Sequence, residues 1–266
     1  MIQPLFCLGL VIVMLAQGMA LQPRDIGDWA GARRDMLFFL ALRIVLLPAM
    51  ALILGRALMR GLEIAPLTGS GLVMAFTAPP AVAGLALAAV SGGSAAVFAR
   101  LAAVGTVISL IIAPVLLAPL VMQAPFEAAV LLVLLLAGLP FSIGMMLRQW
   151  AAQFGRMPAT IASVVTGAMM LATFVLGWDG DAPVTILAVA IMLVVALAMT
   201  IAGAQLLRLP PGSAQAVTLS TLIPVTAMPM ALAGGHFPIG LAAASYGVMG
   251  YLVALALIVL RLRRRA

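Results

Sequence analysis

Two stretches decide the fold: Thr77-Ala-Pro-Pro-Ala-Val-Ala-Gly84 and Ile223-Pro-Val-Thr-Ala-Met-Pro229. Each interrupts an apolar run that would otherwise be long enough to cross a bilayer as one helix. Proline has no backbone N–H and its ring clashes with the preceding turn, so each run should break or kink near its middle. In hydrocarbon the freed main-chain groups are costly unless protein or a wet cavity satisfies them. The two breaks therefore predict where irregular backbone is gathered.

Working outward, apolar runs lie near residues 2–21, 37–58, 67–90, 95–121, 126–147, 158–177, 184–207, 215–233 and 238–260. The chain of 266 residues is 65% hydrophobic and 8% charged, too few charges to give a domain of this size a water-facing shell. Its mean hydropathy of +1.28 agrees. The predicted fold is an all-α integral membrane protein of about nine transmembrane helices, one transmembrane domain over residues 1–266. Ile2 to Ala20 invites comparison with a signal peptide, but it has no basic leading segment and its apolar run exceeds the usual ~7–15 residues. It reads as the first span.

All 14 basic residues are arginine and the net charge is +7, which in a soluble protein would suggest nucleic acid. Here the arginines fall between apolar runs, so they speak to topology, and no nucleic-acid partner is expected. An external N-terminus leaves Arg24, Arg33, Arg34, Arg100, Arg148, Arg156, Arg208, Arg261, Arg263, Arg264 and Arg265 in the cytoplasm, with only Arg56 and Arg60 outside. The positive-inside rule selects this orientation, in a cell (inner) membrane with the C-terminus cytoplasmic. The third run then points inward and the eighth outward, each followed by one long run. That is the pattern of an inverted repeat with its binding site where the breaks meet. Two proline kinks that merely shape packing are the plainer alternative.

The residues around the breaks resemble the bile acid:sodium symporter family, as a divergent, bacterial-type member. Gly18-Met-Ala-Leu-Gln-Pro-Arg-Asp25 is similar to the turn ending that family's first helix. Arg43 to Pro48 resembles its Gln-x-x-x-x-Pro, and Ala78-Pro-Pro-Ala-Val-Ala-Gly-Leu85 with Ser109-Leu-Ile-Ile-Ala-Pro114 resembles the first crossover and the helix after it. Ala231-Leu-Ala-Gly-Gly-His-Phe237 is similar to the stretch beyond the second crossover. The resemblance implies a core of about 37–121 and 184–260 that moves against a panel of about 2–21 and 126–177. It also implies uptake of an organic anion coupled to two sodium ions bound at the crossing.

The positions that the resemblance assigns to sodium are replaced: they carry Arg43, Gly84, Leu85, Phe98, Ala102, Ser220 and Pro224. A hard cation needs several oxygen ligands, usually including a carboxylate, and no Asp or Glu lies deep in any apolar run. Sodium would have to rely on backbone carbonyls; no metal ligand set and no other cofactor is expected. Arg43, two turns inside its run, has two readings. It is a snorkelling arginine whose head reaches the headgroups, or a fixed guanidinium that supplies sodium's charge and pairs with a substrate carboxylate or sulfonate.

The remaining candidates for solute contact are Thr77, Pro79, Pro80, Gly84, Thr106, Ser109, Ser220, Thr221, Pro224 and Thr226, although Ser/Thr hydroxyls in helices often bond back to their own turn. Arg100 reads as a topology anchor, His236 as a loop residue at the outer face, and the scattered methionines as packing. Cys7 is the only cysteine, so no intrachain disulfide forms. There is no HExxH, no Gly-x-Ser-x-Gly and no Walker loop, hence no sign of an enzyme. The expected function is secondary transport of a small organic anion through a lipid bilayer. The rival is a non-transporting sensor or assembly subunit with the same fold.

Overall fold

A computed structural model describes residues 3–22, 24–25, 33–119, 125–151, 153, 157–233 and 236–263. Among these it is helical almost throughout. The helices are α1 (Gln3–Ala20), α2 (Arg33–Gly61), α3 (Pro66–Thr77), α4 (Ala83–Ser91), α5 (Ala95–Leu117) and α6 (Phe126–Trp150). They continue with α7 (Met157–Gly177), α8 (Ala182–Leu206), α9 (Pro211–Leu222), α10 (Ala227–Leu232) and α11 (Phe237–Arg263). Seven of the described helices are long and apolar enough to cross a membrane: α1, α2, α5, α6, α7, α8 and α11. The two other apolar runs are the broken ones, divided into α3 and α4 and into α9 and α10. Arg156, Arg264, Arg265 and the glycines 234 and 235 of the last family-like stretch lie outside the described residues.

Most boundaries fall within a few residues of the hydropathy limits. The second run starts at Arg33, four residues before 37, because its first turn is polar. Asp35 there is well placed, since a carboxylate suits a helix N-terminus. The eighth run begins at Pro211 instead of 215, where proline at the first helical position loses nothing by lacking an N–H.

Proline also shapes the unbroken spans. The helix widens into π turns at Ala41–Leu46 and Leu134–Gly138, two positions before Pro48 and Pro140 respectively. A proline cannot donate to the carbonyl one turn back, and its ring pushes that carbonyl aside, so the preceding turn opens. Arg43 sits in the first of these widened turns.

α1 packs on α6 and α7. α3 lies between α2 and α11, and α9 lies against α5, α8 and α11. Glycine sets the closest of these approaches. A Cβ on Gly18 would run into Phe141 O, and one on Gly144 into Leu15 O, so α1 and α6 meet backbone to backbone. Gly250 of α11 does the same against Leu222 O, at the end of α9. Small residues of this kind let membrane helices gain dispersion contacts that lipid would otherwise provide. Gly144→Val should therefore cost about 1–3 kcal/mol by overpacking. Gly167→Val, at a glycine with nothing within 4 Å of its would-be Cβ, should change stability by less than about 0.5 kcal/mol. Thermal unfolding in detergent compares the two.

Candidate functional site at the crossing of two broken spans

The two breaks meet. Pro80 and Pro224 pair as a single antiparallel bridge, with Ala81 N–H donating to Ile223 O at 2.7 Å and Val225 N–H donating to Pro79 O at 2.7 Å. The prolines explain why the pairing stops there: neither can donate a further bond. α3 and α9 run into the crossing with their C-terminal ends, while α4 and α10 leave it from their N-terminal ends. The crossing is surrounded by buried side chains on every helix that reaches it.

Arg43 spans the two halves. Its Nη1 donates to Ala78 O at 2.7 Å and its Nη2 donates to Ser220 O. Ala78 caps α3 and Ser220 lies in the last turn of α9, where carbonyls have no partner within the helix. One guanidinium thus closes both helix ends. The side chain is 3% exposed, which rules out the snorkelling reading. The Phe39 ring lies 5.8 Å from its central carbon, offering the face of a π system to the charge. Nε is buried without a partner, and no described carboxylate forms an ion pair with the group.

Gln17 of α1, passed over in the sequence, serves the first half in the same way. Its Nε2 donates to Pro80 O at 3.0 Å and to Thr106 Oγ1 at 2.8 Å, and its Oε1 accepts from Val82 N–H at 3.3 Å. The signal was present: Gln17 is an uncharged amide in the last turn of an apolar run, and a fully buried amide must find partners. Tyr246 is a second omission. Its hydroxyl donates to Thr221 O, and its ring stacks on Phe76 with centroids 4.3 Å apart.

The candidate hydroxyls are at the crossing but mostly engaged. Thr77 donates to Val73 O and Met74 O, Ser220 to Val217 O, and Thr106 to Ala102 O, all within their own helices. Ser109 donates to Thr77 O at 3.0 Å. Thr221 shares a hydrogen bond with Thr200 at 3.3 Å. Thr226 Oγ1 alone of this set is buried with no partner. Gly84 faces Phe98, whose ring leaves no room for a Cβ there. Beside the crossing, Thr77, Ala78, Met228 and Pro229 line a small pocket.

Residues 7–182 match the sodium bile acid symporter family. The chain belongs to that family. Its members are transporters, and the match with the apolar helices makes this a multi-pass membrane protein of the symporter type. The matched segment contains Arg43 and the first break; the second break lies beyond it. No curated protein matches the chain.

The family's sodium does not fit the residues at this crossing. Ala78 O and Ser220 O are held by Arg43, and Pro79 O, Ile223 O, Thr77 O and Thr221 O by other donors. Of the positions that resemblance assigned to the ion, Phe98 and Gly84 pack on each other and Ser220 spends its hydroxyl within α9. Among the described residues no cluster of His, Cys, Asp or Glu could hold a metal. A cation there would also face the Arg43 charge at low dielectric.

Gln17→Leu keeps the bulk but strands Pro80 O and Val82 N–H, so it should destabilise by about 1–3 kcal/mol. Gln3→Leu, which removes a partly buried bond to Ala231 O, should cost less. Melting temperatures of the two variants test the difference.

Proposed function

We propose that this chain is a secondary transporter of a small organic anion. The observation that carries the reading is the antiparallel crossing of two proline-broken spans beside a buried guanidinium that lacks a carboxylate. A buried guanidinium that has no carboxylate and keeps its Nε unbonded can take an anionic solute, and irregular backbone at membrane depth is tolerated where protein or a wet cavity satisfies it. In this reading the runs 37–121 and 184–260 form a core, related internally as an inverted repeat, and 2–21 with 126–177 form the panel. The core shifts against the panel to expose the crossing to each side in turn. Packing of α1 with α6 and α7 supports the panel, and packing of α3 and α9 with α11 supports the core.

Arg43 Nε and the Thr226 hydroxyl are the donors left for a carboxylate or sulfonate. Thr77, Pro79, Pro80, Gly84, Thr106, Ser109, Ser220, Thr221 and Pro224 are the further residues assigned to the solute's surroundings in this reading. The arginine-rich ends of the helices face the cytoplasm of an inner membrane, with the N-terminus outside. The tight crossing also suits a rival reading, a non-transporting subunit that keeps the fold, because its carbonyls are already held by donors within the protein.

Uptake of a panel of labelled organic acids into proteoliposomes separates the two. At least one monoanion or dianion should accumulate, and Arg43→Gln should lower that uptake at least about tenfold, the loss of one buried charge-assisted contact. Unchanged uptake in Arg43→Gln would remove the arginine from the substrate path. No uptake of any acid by well-folded protein would favour the rival.

A further inference from the structure

We propose that the Arg43 guanidinium is a built-in cation that takes the place of the coupling ion, so that the crossing carries its own counter-charge permanently and needs no sodium. This deepens the transporter reading and rests on it for the flux, but its physical core is independent of transport. α3 and α9 each present a helix C-terminus to the crossing, and each such end carries about −0.5 of an elementary charge. Two of them make about −1, which one guanidinium balances. The fork of Arg43 matches that arrangement, with Nη1 on Ala78 O of one half and Nη2 on Ser220 O of the other. A free ion would hold the same two carbonyls by direct coordination and would need further oxygens. The nearby positions offer the Phe98 ring against Gly84 instead. No described carboxylate pairs with Arg43, so the helix ends are its counter-charge.

The chemistry separates a tethered cation from an ordinary structural arginine. An ion that binds the folded protein stabilises it with rising concentration; a charge fixed by a covalent stem cannot be titrated in. Deleting the side chain should leave a hole that accepts a free cation of the same shape. Filling the hole with an apolar side chain should not.

The test is thermal unfolding of purified protein in sodium chloride and in potassium chloride at equal ionic strength, repeated on Arg43→Ala and Arg43→Leu with methylguanidinium chloride. Wild type should melt at the same temperature in both salts. Arg43→Ala should melt several degrees lower and regain at least half of that loss with methylguanidinium, while Arg43→Leu should regain none. A saturable, sodium-specific stabilisation of wild type would overturn the proposal, and that arm holds even if neither variant folds. Equal responses of the Ala and Leu variants to methylguanidinium would overturn it too. In proteoliposomes that take up an anion, uptake should be equal in the two salts. Absence of any uptake would count against the transporter reading alone and leave the melting arms to decide the cation.

Discussion

A broken helix in hydrocarbon must satisfy its own main chain, and here one arginine meets part of that demand in both halves at once. Carbonyls at the ends of α3 and α9 cannot bond within their helices or reach water. Arg43 takes one from each. Its charge suits both helix ends, so the group that would be most costly alone in a membrane becomes the tie between two halves of the fold. The widened turn at Ala41–Leu46, imposed by Pro48, belongs to the same arrangement because it carries Arg43 to the crossing.

Around that tie the polar contacts divide in an informative way. Arg43, Ser109 and Tyr246 bond to the crossing from helices that pack with it. Gln17 reaches in from α1, which is joined to α6 and α7 by glycine-mediated contact. If core and panel move as proposed, the Gln17 bonds must break along with that of Gln3 to Ala231 O, and Pro80 O and Val82 N–H are the groups exposed at the crossing. The Arg43 bonds would travel with the core intact. In that proposal, a charge that stays at the crossing and an amide that leaves it are different parts of one device.

Much of the fold was legible in the sequence, because hydrophobic length and proline are strong signals in a membrane. The hydropathy runs located the spans, and Pro79, Pro80, Pro224 and Pro229 located the breaks. The meeting of the two breaks was expected from the pattern of the two halves and is seen as a backbone bridge between Pro80 and Pro224. What could not be read was which donor meets which carbonyl. Thr77, Ser220 and Thr106 turn their hydroxyls to their own helices, a choice of rotamer that composition does not encode. The two readings of Arg43 differ only in the direction of a long side chain, which depends on how α2 is rotated against α3 and α9. Gln17 was missed because an isolated amide carries no motif; its partners lie 63 and 89 residues away.

The most direct measurement is an experimental density map of the protein prepared in sodium, at a resolution that separates a guanidinium from a hydrated ion. The guanidinium plane of Arg43 should lie between Ala78 O and Ser220 O, with no other cation in contact with either carbonyl. A spherical density ligated by those carbonyls, with the Arg43 side chain turned away toward the headgroups, would contradict the whole arrangement.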